Sequence, residues 1–278
     1  ATTEIYTLSL HDALPILVPA VGHLAYWGLR LGNPWITRIP LAMGIDFPEL
    51  TNHFFLLCSS RDKIRVYANG WSEGAKTPEA LAEKASQVIE MGFTALKFDP
   101  IPGPWRSYVS REVEEVAVEN VAAVRQAVGP DVEILVEMHR RLAPMYTVRI
   151  ARNIEQFRPF WYEEPVLAEN VDALAAVKRE INIPIVTGEE LYTKFEFREI
   201  FEKQAADIIN PDVCNVGGIL ELKEIAAMAE PYYVVVSPHN YNSTTVGLAA
   251  TLQVSTNIPN FLITEYFVNL EEIGRAHV

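Results

Sequence analysis

The chain has 278 residues, 49% hydrophobic and 21% charged, with a formal net charge of −13. That acidity, with no basic stretch to offset it, excludes a phosphate-backbone binder and so nucleic acid as a partner. Cys58 and Cys214 lack the number and spacing of a disulfide framework or a cysteine metal site, and no apolar run reaches the ~18 residues of a membrane span. Leu14 to Leu29 is apolar, but Pro15, Pro19 and His23 interrupt it and no basic segment precedes it. A signal peptide is therefore not expected, no membrane partner is expected, and a reducing cytoplasm is the expected compartment.

In chain order, residues 1–16 (ATTEIYTLSLHDALPI) match the in-frame translation of a short-read sequencing adapter, and residues 272–278 (EIGRAHV) match another stretch of adapter. Both ends are expected to be processing scars. Residues 17–61 hold two Trp and scattered Pro and Gly without a period, and are expected to be a remnant of an N-terminal capping domain, with a partly out-of-frame stretch as the alternative. From Asp62 the rhythm changes. IRVYA (Ile64 to Ala68) predicts a strand, and Thr77 caps a helix that starts at Pro78 and ends at Gly92. ALKF (Ala95 to Phe98) is the next strand, and Ser110 is the expected N-cap of a helix whose Glu112, Glu114 and Glu115 suit its positive end. VEILVEMH, a helix through Ile154 and FWYEE follow. Then come helix VDALAAVKREI, strand IPIVTGEE, helix FEFREIFEKQ and strand DIINPD. Helix GILELKEIAAMAE, strand YVVVSPH, helix TTVGLAATLQVST and strand FLITE complete the series. Eight strands, each but the last followed by a helix, predict an α/β fold with a closed (β/α)8 TIM-type barrel over residues 62–271. An open doubly wound sheet is the alternative.

Barrels of this kind keep their chemistry at the C-terminal ends of the strands. Glu137, Glu163, Glu189, Asp212, His239 and Glu265 fall there, at successive intervals of 26, 26, 23, 27 and 26 residues. Each interval is one strand–helix unit, so six consecutive strand ends carry an ionisable group. Glu137, Glu163 and Glu189 on neighbouring strands would repel one another if dry and unpaired. Oxygen-only ligands suit a hard divalent cation such as Mg²⁺; carboxylates on a solvated rim are the alternative. Glu164 and Glu190, one residue on, are expected to face away and pair with Lys or Arg. His139 lies two residues past Glu137 and is expected to point the same way. Asp212 one strand before His239 reads as a carboxylate orienting a general base.

These residues resemble the mandelate racemase branch of the enolase superfamily, and within it the galactonate dehydratases. The resemblance runs from about Arg61 to Leu270. It is carried by Glu137-Met138-His139, Glu163-Glu164-Pro165, Gly188-Glu189, Asn210-Pro211-Asp212 with Gly217-Gly218, and Ser237-Pro238-His239. It implies metal ligands at Glu137, Glu163 and Glu189, an Asp212–His239 dyad, and a catalytic or substrate-binding Glu265. It further implies a Mg²⁺ ion that stabilises the enediolate formed when a proton α to a carboxylate is removed. Two departures matter. The first ligand is Glu137 where those dehydratases usually have Asp. On the second strand, Lys97-Phe98-Asp99 lacks the second Lys that serves the racemases as an opposing base. One base and one acid suffice for loss of water. His239 would take the C2 proton, His139 would protonate the departing hydroxyl, and Lys97 would help neutralise the substrate carboxylate. A salt bridge from Lys97 to Asp99 is the alternative role for that lysine. The resemblance places specificity in capping-domain loops and in residues after the second strand such as Pro104, Trp105 and Arg106, with Arg106 expected to bind substrate.

The resemblance thus implies an acid-sugar dehydratase whose substrate is a small sugar acid, with a homo-oligomer as its assembly. An epimerase or cycloisomerase on the same chemistry is the alternative enzyme. A non-catalytic fragment is the alternative of another class, because the capping domain and the last part of the barrel look truncated.

Overall fold

Runs such as ALKF and EILVE bury nearly all of their side chains on both faces, so they are stable only inside a sheet covered on both sides. The helices between them carry apolar residues at helical spacing on one face, as in Leu81, Ala85 and Val88, which are all buried. The computed structural model, which describes residues 8–9, 60–61, 63–101, 103, 108–241 and 243–268, joins these parts as expected. The strands are β1 Val66–Asn69, β2 Ala95–Phe98, β3 Glu133–Glu137, β4 Trp161–Glu163, β5 Ile185–Thr187, β6 Ile208–Ile209, β7 Val235–Val236 and β8 Thr264–Phe267. The helices between them are α1 Pro78–Glu90, α2 Arg111–Val128, α3 Pro144–Ile154, α4 Val171–Glu180, α5 Thr193–Glu202, α6 Ile219–Ala229 and α7 Thr245–Asn257.

All eight strands are parallel, in the order β8-β1-β2-β3-β4-β5-β6-β7. A parallel bridge between Val236 and Phe261, just before β8, closes the ring. There the Val236 N–H donates to Asn260 (2.9 Å) and the Leu262 N–H donates to Val236 (2.8 Å). The closed barrel therefore holds, and the open sheet does not.

Side chains alternate along each strand, and this sets the site. Ala95, Leu135, Trp161 and Ile263 pack in one apolar cluster with Tyr67, Val186 and Ile208. Two residues further along the same strands stand Lys97, Glu137, Glu163 and Glu265, all buried. A floor of apolar side chains thus lies beneath a layer of charge. The larger cluster fills the space between strands and helices.

Several boundaries differ from expectation. The strands predicted to run through His139, Glu164 and Glu190 end earlier, at Glu137, Glu163 and Thr187. Beyond them the backbone turns out of the sheet, with φ of 47° at His139, 59° at Arg140, 44° at Glu164 and 135° at Gly188. Thr77 caps α1 as expected, accepting from the Ala80 N–H at 3.3 Å. Ser110 stands at the N-cap of α2, but its side chain makes no capping bond to the helix backbone. Leu8–Ser9 pairs antiparallel with Lys63–Ile64. The rest of 1–16, residues 17–59, Arg106 with its neighbours Pro104 and Trp105, and 272–278 lie outside the described residues. Among the described residues no helix is long and apolar enough to cross a membrane.

Candidate active site

Glu137 ends β3, Glu163 ends β4, and Glu189 follows Gly188 just past β5. One carboxylate oxygen from each lies within 4.8 Å of those of the other two. Each carboxylate is held by the protein at one oxygen. Glu137 Oε1 accepts from the His139 N–H (2.6 Å), and Glu163 Oε1 accepts from Lys97 Nζ (2.7 Å) and Asn210 Nδ2 (2.9 Å). Glu189 Oε1 accepts from Arg140 Nη1 (2.6 Å). Oε2 of Glu137 and of Glu163 is buried with no hydrogen-bond partner. Two orphaned buried anionic oxygens beside a third carboxylate are a costly arrangement, and a hard divalent cation is the partner that would relieve it. The residues present fit such an ion.

The electrostatics agree. Burial pushes the Glu137 carboxyl up to about 7, against the pull of Lys97. Burial, reinforced by Glu137, lifts Glu163 well above the ordinary carboxylate range. Burial also acts to raise Glu189, but His239, Lys97 and Arg140 outweigh it and hold this carboxyl below its usual value. Burial thus disfavours the charged forms of Glu137 and Glu163, a cost that a bound cation would offset.

His239 is oriented as the sequence predicts. Its Nδ1 lies 2.8 Å from Asp212 Oδ2, and Asp212 and His239 form a parallel bridge that fixes the pair. Nε2 then faces Glu189 Oε2 at 3.2 Å and Glu265 Oε2 at 3.5 Å. Burial would lower this imidazole, but Glu265, Asp212 and Glu189 raise it to about 9. Glu265 is completely buried. Burial opposes its charge, yet Lys97, His239, the Asn240 N–H and Asn69 bring its carboxyl down to about 2. It is a fixed anion, held by Asn69 Nδ2 (2.5 Å) and the Asn240 N–H (2.9 Å).

Lys97 does not bridge to Asp99. Its buried ammonium lies 2.7 Å from Glu163, 3.0 Å from Glu265 and 3.6 Å from Glu137. Asp99 instead accepts from Arg141 and faces His139 Nδ1 at 3.1 Å. The physical reason is charge balance: three buried carboxylates draw in the one ammonium that alternation points inward from β2. His139 sits past the end of β3 rather than on it, yet its ring reaches the mouth, 3.9 Å from Glu137. Lys97, Glu137, His139, Glu189, His239 and Glu265 all line one cleft of about 540 Å³.

Glu164 and Glu190 pair with an arginine as expected, and it is the same one: Arg140, at 3.6 and 2.9 Å. Glu164 is fully buried and has a left-handed backbone. Sequence reasoning missed Arg140, Asn69 and Asn240. It quoted Asn210 only as part of a motif, although the Asn-Pro-Asp spacing already placed Asn210 two residues before Asp212 on one face of the strand end.

A parallel eight-stranded barrel whose mouth gathers three glutamates able to hold a cation and a carboxylate-oriented histidine defines the class of protein. The chain belongs to the enolase C-terminal domain-like family, whose model matches residues 80–277. A D-gluconate dehydratase of Thermoproteus tenax is 39% identical over 207 residues, covering 74% of this chain and 41% of that protein. A D-xylonate dehydratase of Haloferax volcanii is 37% identical, covering 74% of this chain and 52% of its own. Among solved structures, a mandelate racemase/muconate lactonizing enzyme-like protein from Rubrobacter xylanophilus is 37% identical with a TM-score of 0.71, over 77% of this chain and 60% of that one. The chain spans about half the length of the curated relatives it matches.

Proposed function

We propose that the protein carrying this chain is a Mg²⁺-dependent dehydratase of five- or six-carbon aldonic acids, the class to which gluconate, galactonate and xylonate belong. The observation that carries this is the placement of two histidines about one pocket. β3 and β7 stand four places apart in a ring of eight, so His139 and His239 enter the mouth from opposite sides. The two curated relatives named above, both dehydratases of such acids, support the substrate class.

Glu137, Glu163 and Glu189 would hold the cation, which supplies positive charge where the substrate carboxylate gains negative charge. Lys97 adds a second, permanent charge to the same corner. His239 Nε2 takes the proton from C2. The freed electron pair is first held on the substrate carboxylate; it then forms the C2–C3 double bond as the C3–O bond breaks, and His139 gives the departing hydroxyl its proton, so water leaves. The resulting enol tautomerises to a 2-keto-3-deoxy acid. With Glu189 neutralised by the cation, His239 loses one of the three carboxylates that hold its proton, which favours its action as a base. Asp212 holds the imidazole from its far side, at Nδ1, while Glu265 faces Nε2. Asp99, standing where a second lysine base would act, is engaged by His139 and Arg141. That disfavours epimerisation, which needs a base on each face.

The test incubates the protein with Mg²⁺ and a panel of aldonic acids in D₂O, following 2-keto acid and deuterium at C2. Keto acid from one or two substrates is expected. Deuterium at C2 with no keto acid on any of them would move the assignment to an epimerase.

A further inference from the structure

Arg140 lies outside every motif named above, yet it joins three carboxylates. Nη1 meets Glu189 Oε1 at 2.6 Å and Glu164 Oε2 at 3.6 Å, and Nη2 meets Glu190 Oε1 at 2.9 Å. Its own N–H donates to the Glu164 carbonyl at 2.7 Å, so backbone and side chain grip the same neighbouring strand end. The segment reaches this place through two successive left-handed residues, His139 and Arg140, a conformation that non-glycine residues keep only where the surroundings enforce it. Glu164 in turn accepts from the Gly188 N–H (2.8 Å) and Thr187 Oγ1 (3.1 Å), which fixes the turn that carries Glu189. Arg140 is thus the joint between the ends of β3, β4 and β5.

The consequence falls on Glu189. Oε1 is taken by the guanidinium and Oε2 faces His239, while one oxygen of Glu189 stands within 4.8 Å of an oxygen of each of the other two glutamates. We infer that Arg140 is a positioning residue, which holds Glu189 with one oxygen presented to the cation pocket; the inference rests on reading Glu137, Glu163 and Glu189 as cation ligands. The sign of its effect separates this role from simple charge. A cation beside the pocket would by itself repel Mg²⁺, so a merely electrostatic Arg140 weakens binding. A positioning Arg140 strengthens it, because an unanchored carboxylate must be ordered when the ion enters.

The experiment is a calorimetric titration of metal-stripped protein with Mg²⁺ alone, for wild type, Arg140→Met and Arg140→Lys. Arg140→Met is expected to bind Mg²⁺ roughly 10–100-fold more weakly, the range typical when a group that orients a metal ligand is lost. Arg140→Lys is expected to bind roughly tenfold more weakly, because an ammonium keeps the charge but cannot span Glu189 and Glu190 as a planar fork does. It also keeps a cation over buried Glu164, and it decides the matter if Arg140→Met does not melt cooperatively. Affinity equal to or tighter than wild type in the variants would overturn the positioning role while leaving the cation site intact. Wild type that takes up no Mg²⁺ would instead remove the cation site itself, and the inference with it.

Discussion

At the scale of single residues, the site is a contest between burial and compensation, and Lys97 shows it best. Its ammonium is the counter-charge for Glu163, Glu265 and Glu137 at once. Removing it leaves buried carboxylates uncompensated, so Lys97→Met is expected to cost the metal-free protein about 3–5 kcal/mol. Added Mg²⁺ should recover part of that loss, and thermal melts with and without the ion would show it. The same contest sets the pH dependence. A carboxyl raised to about 7, such as Glu137 or Glu164, is protonated in both states below its unfolded value of 4.5. It costs the folded state increasingly from there up to about pH 7. His239, raised from 6.5 to about 9, contributes stability that is complete below pH 6.5 and is lost as the pH rises through 9. Glu265, lowered to about 2, contributes stability that is lost below pH 4.5 as the pH falls toward 2. The metal-free protein should therefore melt highest near pH 5, and lower at pH 3 and at pH 8. Mg²⁺ competes with protons for Glu137, so the rise in Tm on adding the ion should be larger at pH 8 than at pH 6.

At the scale of elements, the strand ends decide what each side chain can reach. Glu137 and Glu163 were legible in the sequence because two-residue alternation continues to the last residue of β3 and β4. Glu189 was legible from its spacing, although it stands beyond the strand. The limits of the sequence lie where the chain leaves the sheet. Glu164 pairs with an arginine as expected, but alternation gave no sign of its left-handed backbone or its complete burial. Arg140 was invisible for the same reason: no period tells where a long side chain goes after two left-handed residues. Lys97 was placed correctly on β2, but its partners were not, because they lie on other strands and are selected by charge balance. Gly188 carries the tightest constraint. Its φ is 135°, and an added Cβ would lie 2.8 Å from Phe197 Cε1 and 3.3 Å from Asn210 Oδ1. Gly188→Ala is expected to destabilise by about 2–4 kcal/mol, combining a disfavoured backbone with overpacking. Denaturant unfolding would measure it, and a neutral result would mean that the turn before Glu189 relaxes freely.

At the scale of the whole molecule, the ring brings together residues more than a hundred positions apart, and it is closed at one seam. Between β7 and β8 the backbone contact is the single bridge at Val236 and Phe261. Arg61 reinforces it from the entry to β1, donating to the carbonyls of Ser255, Ile258 (2.7 Å) and Pro259 (3.2 Å) and lying over the Phe261 ring at 4.9 Å. Arg61→Ala is expected to cost about 1–3 kcal/mol and to raise hydrogen exchange at the Leu262 N–H before that of the inner strands. The eight-strand rhythm made the ring legible, but nothing in the sequence marked Arg61 as its clasp. The closed ring is also what sets His139 opposite His239, and the proposed chemistry depends on that opposition. The most direct measurement is deuterium at C2 and keto-acid release in D₂O, for His139→Asn with Mg²⁺ and an aldonic acid that the unaltered protein dehydrates. Continued exchange at C2 with keto acid reduced by a hundredfold or more, within the usual ~10²–10⁴-fold contribution of a positioned acid, is the predicted result. Keto acid released at the unaltered rate would contradict the assignment of His139 as the acid and with it the division of labour across the barrel.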